Sequence, residues 1–228
     1  MCGRFTLRSP MSVLVKQFGL SSEIELPARF NVAPTQQVAA LRHPEAMDHE
    51  TAQGYGFTLL RWGLIPFWSK EVSSSKPLIN ARSETVAEKP SFRTSFKRKR
   101  CLILADGYYE WKAKGGEKQP FYISRKDQLP FVMAGLWDRY DRGETPIESC
   151  TILTTDANQA TKPVHHRMPV MLAARDFKTW LNPESASEAL QELLIPDPSD
   201  SLQLTPVSRH VNSPRNDDPS CIEPISLA

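Results

Sequence analysis

The chain has 228 residues, of which 40% are hydrophobic and 24% are charged, with a formal net charge of +2. This length allows one large domain or two small ones with a real core, and we expect one. We expect neither a membrane span nor export, because the sequence lacks a long apolar run and a secretory signal pattern, so the protein should be cytoplasmic. The four widely spaced cysteines argue against a zinc ribbon or a disulfide framework.

The first predicted element is a helix in SPMSVLVKQFG, with Ser9 as its cap and Gly19 as its terminator. Short β-branched or aromatic runs bounded by turn residues then predict strands at 38–42, 57–62, 101–105, 108–112, 120–124, 131–137, 150–154 and 169–173. Runs this close together favour antiparallel pairing. The Gly115–Gly116 pair predicts a hairpin, and Pro120 suggests an edge strand.

Three helical patterns and two irregular segments complete the chain. The helices are predicted at about 83–96, 174–181 and 185–194, and a Ser-rich loop lies near 70–76. The segment from about 211 is rich in turn residues, and we expect it to pack loosely. Together these elements predict an α+β domain that consists mainly of antiparallel β-structure.

Cys2 is the most unusual candidate for chemistry. If Met1 is removed, Cys2 carries an α-amine and a thiol on adjacent carbons. The pKa of an α-amine is about 7.7–8.0, against about 10.4 for lysine, so near neutral pH the α-amine is a ready nucleophile toward aldehydes. The thiol can then close onto the imine as a five-membered thiazolidine ring. Gly3 lets the terminus bend into a pocket and Arg4 adds an anion contact, although an incidental cysteine behind Met1 is the alternative.

Three further motifs supply polar groups of the kind that catalytic sites use. In PLINARSET, Asn80 both donates and accepts hydrogen bonds, and Arg82 points to the same face if the segment is extended. In ADGYYEW, Glu110 lies among aromatic residues, which raise the pKa of a carboxyl group by desolvation. In KPVHHRMPVML, one histidine can act as general acid or base while its neighbour is structural. A loop asparagine, a surface arginine and a solvent-facing glutamate are the alternatives.

Aromatic and basic residues add a second theme. RWGLIPFW contains Trp62, Phe67 and Trp68, and exposed rings stack on bases or wedge into a base step, although such rings more often pack in a core. Cations that could contact phosphates are Arg4, Arg82, Arg93, residues 97–100 and Arg167, which is consistent with a nucleic-acid surface. The histidines lack metal-ligand spacing, so we expect no metal and no cofactor.

Six motifs in order, MCGRF, RFNVAPTQQV, RWGLIPFW, PLINARSET, ADGYYEWK and HHRMPVML, resemble the SOS response-associated peptidase (SRAP) family over nearly the whole chain. The resemblance implies a single α+β domain dominated by antiparallel, barrel-like β-structure. It also implies a self-modifying sensor that crosslinks itself to abasic sites in single-stranded DNA and shields them during replication. We expect a monomer that is cytoplasmic, makes no membrane contact, and is associated with the nucleoid when bound to DNA.

Carried over to this sequence, the resemblance makes Cys2 the crosslinking residue and Asn80 the group that holds its amine and the adduct. Glu110 then opens the deoxyribose ring and helps to form the Schiff base, and His165 is the catalytic histidine. The DNA contacts that the resemblance implies are Arg4, Asn31, Pro34, Phe67, Trp68, Arg82, Thr154 and Arg167. Some members have two tryptophans where this chain has Trp68 followed by Ser69. The family name also suggests self-processing at Met1, which methionine aminopeptidase could equally perform.

Two other functions fit part of the pattern. An N-terminal nucleophile hydrolase, such as a class II glutamine amidotransferase, also begins with Cys-Gly after processing, but it is commonly fused to a synthase domain for which this chain has no room. A non-covalent single-strand binding module would use only the aromatic loop and the basic run.

Overall fold

The computed structural model describes residues 2–21, 24–44, 54–72, 77–198 and 200–227. The described strands are β1 (Phe5–Leu7), β2 (Arg29–Val32), β3 (Gln37–Arg42), β4 (Gly56–Trp62), β5 (Asn80–Arg82), β6 (Arg100–Ala105), β7 (Gly107–Lys114), β8 (Glu117–Arg125), β9 (Phe131–Tyr140), β10 (Ile147–Asp156), β11 (Arg167–Pro169), β12 (Met171–Leu172) and β13 (Leu202–Pro206). The helices are α1 (Met11–Phe18), α2 (Arg93–Arg98), α3 (Phe177–Leu181) and α4 (Ser187–Glu192). Met1, whose removal is predicted, lies outside the described residues. The serines of the predicted loop near 70–76 also lie outside them.

The strands form two sheets. The first sheet has five strands in the order β13-β8-β7-β1-β2, and the barrel sheet has eight, in the order β11-β10-β4-β3-β6-β9-β12 with β5 beside β10. Because β10 pairs with β9 as well as with β4, the strands β4, β3, β6, β9 and β10 close into a ring. Among the described strands only β10 makes parallel pairs, with β4 and β5. The predicted α+β fold with barrel-like, mainly antiparallel β-structure is confirmed.

Strand β6 shows why the sequence CLILA is apolar at every position. Ile103 lies in a cluster shared by both sheets, the inter-sheet cluster. Leu102 lies in a second cluster, the helix-side cluster, to which the helices contribute Phe18, Phe96 and Trp180. Successive side chains of a strand point to opposite faces, so β6 is covered on both. The inter-sheet cluster is the part of the core that matters for the site.

The helices follow the sequence with two differences. Helix α1 ends at Gly19, whose φ of 65° and N–H bond to the Val15 carbonyl close the last turn as predicted. Ser9 does not cap this helix, because its hydroxyl donates to Asp106. The helix predicted at about 83–96 is interrupted at Pro90, which leaves a 3-10 turn at Ser83–Thr85 and the short α2. None of the described helices is long and apolar enough to cross a lipid bilayer.

The hairpin of β7 and β8 forms as predicted, but the prediction of an edge strand at Pro120 is wrong. Gly115 and Gly116 form its turn with φ of 59° and 84°, the conformation that glycine adopts most readily. Strand β8 also pairs with β13, so Pro120 is not in an edge strand. Proline is tolerated there because the β13 ladder ends opposite Phe121, and the Pro120 carbonyl accepts from the Val207 N–H at 3.1 Å.

The segment from about 211 packs closely, so the prediction of loose packing is wrong. Asn31 is fully buried, and its Nδ2 donates to the carbonyls of Val211, Ser213 and Asn216 at 2.7–3.1 Å. The Asp217 carboxylate accepts from the backbone N–H groups of Phe30 and Asn31. The segment therefore covers the outer edge of β2, which would otherwise present unpaired backbone groups.

Asn31→Ala tests this packing. The substitution leaves buried carbonyls without a donor, so we expect the free energy of unfolding to fall by about 2–4 kcal/mol. Amide exchange in residues 209–221 should accelerate. Asn182→Ala is the matched control, because the side chain of this exposed residue accepts one bond from the Glu184 N–H, and it should change stability by less than about 1 kcal/mol. Equal losses in both variants would contradict the anchoring role of Asn31.

Candidate active site

Strand β1 fixes the N-terminal segment in the middle of the first sheet. Phe5 lies opposite Val32 of β2 on one side and opposite Tyr108 of β7 on the other. The Tyr109 N–H also donates to the Arg4 carbonyl at 3.0 Å, which extends the ladder toward the start of the chain. Cys2 therefore enters the inter-sheet cluster and is fully buried there.

Asn80 contacts Cys2 from the barrel sheet. It begins β5, in which Ala81 is buried and Arg82 is exposed, so the segment is extended as predicted. The Asn80 Nδ2 donates to the Cys2 carbonyl at 2.8 Å. The Asn80 Oδ1 is buried and has no hydrogen-bond partner among the described residues. An unsatisfied buried acceptor costs about 1–3 kcal/mol, so this oxygen favours a donor that binds beside Cys2.

Glu110 lies on β7, the strand next to β1, and is only 3% exposed. Burial raises the pKa of its carboxyl group above the ordinary value, in the direction that the aromatic surroundings predict. Burial also raises the pKa of the Cys2 thiol, and the negative charge of Glu110 raises it further. In both groups burial therefore disfavours the charged form.

His165 lies beside Glu110, with 4.0 Å between its Nδ1 and the Glu110 Oε1. The same Nδ1 is 3.0 Å from the backbone nitrogen of Arg167 and 3.2 Å from its carbonyl oxygen. A neutral ring accepts from that N–H, and a ring protonated at Nδ1 donates to that carbonyl, so His165 has a partner in either state. Burial lowers the pKa of this imidazole, while His166 is exposed and stacks on it at 4.4 Å between ring centroids.

Arg167 and Thr154, two of the predicted DNA contacts, are buried. The Arg167 guanidinium bonds both oxygens of Glu84 at 2.6 and 2.9 Å, Asp156 at 2.8 Å and the Thr154 carbonyl at 2.5 Å. The Thr154 hydroxyl donates to the Ala81 carbonyl at 3.4 Å. These residues join β5, β10 and β11 and position His165, so the structure does not support their prediction as phosphate contacts.

Arg4 and Asn31 likewise serve the C-terminal segment. The Arg4 Nη1 donates to Asn31 Oδ1 at 2.9 Å and to the Val211 carbonyl at 3.0 Å, and its Nη2 donates to the Asn212 carbonyl at 3.1 Å. Asn31 has no exposed surface. In this arrangement Asn31 does not line a DNA path, and the Arg4 guanidinium donates hydrogen bonds to groups within the protein.

The aromatic loop after β4 presents its rings to solvent. Phe67 and Trp68 are each 46% exposed, so both rings are accessible, and their DNA-binding role stays a prediction. The Phe67 N–H donates to Asp138 Oδ2 at 2.9 Å, and the Ile65 N–H donates to the Ser149 hydroxyl at 2.8 Å. Gly63 is required at the base of the loop, because its φ is 121° and a Cβ there would lie 2.7 Å from the Pro77 Cβ. The backbone of the loop is therefore held firmly.

Pro34 and the basic run have mixed outcomes. Pro34 is half-buried and precedes Thr35, whose φ is 73° and whose N–H donates to the Trp62 carbonyl at 2.7 Å.

In the basic run, Arg100 is buried against α3 and donates to the carbonyls of Phe96, Trp180 and Asn182, so it is not free to contact phosphates. Lys99 pairs with Asp138 at 2.7 Å. The exposed cations that remain in this region are Arg93, Lys97 and Arg98.

A cavity of about 450 Å³ opens over the site and is lined by Glu110, Trp111, Lys118, His165 and Asn212. The sequence analysis did not single out Lys118 or Asn212. The two-glycine turn sets the register of the hairpin and places Lys118 opposite Ala113, so the position of Lys118 on the hairpin could have been predicted from the sequence. Asn212 accepts from the Trp111 Nε1 at 2.8 Å, a contact with no local sequence signal.

A larger cavity of about 580 Å³ lies elsewhere on the hairpin, and none of the predicted site residues lines it.

Cys2, held by Asn80 beside the buried Glu110 carboxyl group and His165, is the candidate active site. The family model described as SOS response associated peptidase (SRAP) matches residues 1–214. This chain belongs to the SRAP family.

Relatives and solved structures agree with this assignment. The chain is 40% identical to the abasic site processing protein YoqW of Bacillus subtilis (strain 168), over 98% of this chain and 99% of that protein. It is 30% identical to the abasic site processing protein YedK of Escherichia coli (strain K12), over 99% and 100% respectively. A crystal structure of a protein from Bacteroides thetaiotaomicron matches with a TM-score of 0.85 and 28% identity, over 99% of this chain and 100% of that chain.

Arg167→Lys tests the buried ion network beside His165. Lysine keeps the charge but loses the two-pronged contact with Glu84, so we expect the free energy of unfolding to fall by about 1–3 kcal/mol in chemical denaturation. Arg175→Lys is the control, because the Arg175 side chain is 86% exposed and its ion pair with Asp176 is long, at 3.8 Å. The control should change stability by less than about 0.5 kcal/mol. An Arg167→Lys protein as stable as wild type would show that this network does not support the site.

Proposed function

We propose that this protein forms a covalent crosslink with abasic sites in single-stranded DNA, through the α-amine and thiol of Cys2 after removal of Met1. One observation carries the proposal: Asn80 from the barrel sheet and Glu110 from the first sheet both act on Cys2, and His165 lies beside Glu110. The relatives named abasic site processing proteins support the choice of lesion. The crosslink would shield the lesion as part of the response to DNA damage.

The chemistry of the lesion suits this pair of nucleophiles. An abasic deoxyribose opens to an aldehyde at C1′. The Cys2 amine adds to this carbon, and loss of one water gives an imine. The thiol sulfur then adds to the same carbon while the thiol proton ends on the nitrogen, which closes a thiazolidine ring. The two steps release one water in total and need no oxidant, reductant or cofactor.

The surrounding groups have distinct roles in these steps. Glu110, with its raised pKa, stays protonated at a higher pH than an ordinary glutamate and donates to the ring oxygen as the sugar opens. Asn80 holds the Cys2 carbonyl and offers its unsatisfied Oδ1 to the Cys2 amine. Because the pKa of the Cys2 thiol is also raised, its proton leaves only as the carbon–sulfur bond forms, and His165 is close enough to Glu110 to relay it.

The surface around the site supplies contacts for a single strand. Arg82 is exposed and, two residues from Asn80 on an extended strand, faces the same side. It is therefore the phosphate contact that we favour, in place of Arg4 and Arg167. Phe67 and Trp68 offer exposed rings for base stacking, which tolerates any sequence.

Two substitutions of Cys2 test the covalent chemistry. Cys2→Ala removes the thiol, and we expect no thiazolidine on an abasic oligonucleotide in a denaturing gel, with residual affinity for single strands. Both Cys2→Ala and Cys2→Ser keep the α-amine, so each should form an imine that survives the gel only after borohydride reduction. The wild-type adduct should survive heat and detergent without reduction.

Intact-mass spectrometry supplies the control for this experiment. Wild-type protein should lack Met1, and its adduct should weigh the sum of protein and oligonucleotide less one water. An untreated Cys2→Ala protein that still gives a stable adduct would rule out the thiazolidine. A wild-type complex that dissociates in detergent would favour a non-covalent binding module.

Glu110→Gln tests the acid role. The wild-type rate needs a neutral amine and a protonated Glu110, so its pH profile should be bell-shaped. Glutamine cannot ionise, so the variant should lose the decline at alkaline pH, keep the rise due to the amine, and react about 100- to 10,000-fold more slowly at the optimum. Glu117→Gln, at an exposed glutamate paired with Arg209, should match wild type. An unchanged alkaline limb in Glu110→Gln would remove Glu110 from this role.

A further inference from the structure

Three side chains of metal-binding types converge in the C-terminal segment, and none of them is among the catalytic candidates. They are His210, Asp218 and Cys221, and their ligand atoms all lie within 4.8 Å of one another. In the part of the chain that the structure describes, no other group of three or more histidine, cysteine or acidic side chains comes together this closely.

The local backbone holds these side chains in place. Asp218 begins a 3-10 turn, in which its Oδ1 accepts from the Ser220 N–H at 3.0 Å and its carbonyl accepts from the Cys221 N–H at 3.0 Å. Asp218 and Cys221 therefore lie on one side of a single turn. Asn216 fixes the histidine, because its Nδ2 donates to the His210 carbonyl at 2.7 Å and lies 3.1 Å from the ring Nδ1.

The donor set selects a class of metal. Imidazole, carboxylate and thiolate together suit zinc and related divalent ions, whereas calcium and magnesium prefer oxygen ligands alone. The His210 Nε2 is 2.9 Å from the Asp218 Oδ2. Ligand atoms around a tetrahedral zinc ion at about 2.0–2.3 Å lie roughly 3.3–3.7 Å apart, so this pair needs to separate by less than about 1 Å.

We propose that His210, Asp218 and Cys221 bind one divalent ion of the zinc class, with water in the fourth position. The thiol proton of Cys221 is released to solvent as the metal binds. The proton that the His210 Nε2 donates to Asp218 also leaves that nitrogen, and the ring carries its proton on Nδ1 instead. The protonated Nδ1 then gives up its 3.1 Å contact with the Asn216 Nδ2, which keeps its bond to the His210 carbonyl.

Such a site would stabilise the C-terminal segment, which binds Arg4 and Asn31 of the N-terminal region. The carbonyls that Arg4 and Asn31 bind lie at 211–216, between His210 and Asp218. Asn212 also lines the cavity over Glu110 and His165. A metal ion would therefore stabilise one wall of that cavity. The inference does not depend on the crosslinking chemistry.

Titration of metal-free full-length protein with Co²⁺ tests the site. We expect one ion per chain, with the charge-transfer absorption of a cobalt–thiolate bond and the strong visible bands of four-coordinate cobalt, and Zn²⁺ should displace it. Cys221→Ser should abolish the charge-transfer band. His210→Asn and Asp218→Asn should weaken binding by more than about 100-fold, beyond the effect of losing an outer contact. Asp218→Asn retains the oxygen that begins the 3-10 turn, so it should fold normally.

Control variants separate this site from other metal ligands. His43→Asn, at a histidine remote in sequence from the segment, should bind Co²⁺ like wild type. Cys2→Ala should also keep the charge-transfer band, although it is expected to lose crosslinking. Absence of the band in folded wild-type protein would overturn the proposal. A band that persists in Cys221→Ser, or that disappears in Cys2→Ala, would overturn it as well, because the thiolate would then belong to another cysteine.

Discussion

The insertion of β1 between β2 and β7 is the constraint on which the site depends. Pairing on both sides fixes Phe5, and the Tyr109 N–H continues the ladder to Arg4, so the residues before the strand have little freedom. Cys2 is thereby carried into the apolar seam between the two sheets, where Asn80 binds its carbonyl. A chain terminus usually frays, and here its position is set by the same backbone bonds that build the sheet.

Burial then gives the site its chemical character. Burial removes water from Glu110 and from the Cys2 thiol, which raises the pKa of both groups. Burial also lowers the pKa of His165. These directions favour the neutral forms of an acid, a thiol and a base, which are the forms that the proposed proton transfers use. The buried ion network of Arg167 holds the neighbouring backbone in place, so the histidine sits on a rigid support.

The sequence predicts the elements that carry strong local patterns and misses those that depend on distant partners. CLILA and YYEWK are recognisable as strands from composition alone, whereas β1, β2 and β5 have three or four residues each and are defined by their ladders. The same distinction holds for the site. Residue types pointed to Cys2, Asn80, Glu110 and one of two adjacent histidines, which the family resemblance identified as His165. Nothing in the local sequence shows that the polar groups of Arg167 and Asn31 bind inside the protein.

The contacts between the start of the chain and residues 211–217 also determine when the N-terminal region can be completed. Arg4 and Asn31 bind carbonyls roughly two hundred positions further along, so on the ribosome those partners emerge long after the first strand. Until they emerge, the first strand lacks their support. The proposed removal of Met1 would have that interval in which an aminopeptidase could reach the first peptide bond, before Cys2 is buried in the inter-sheet cluster.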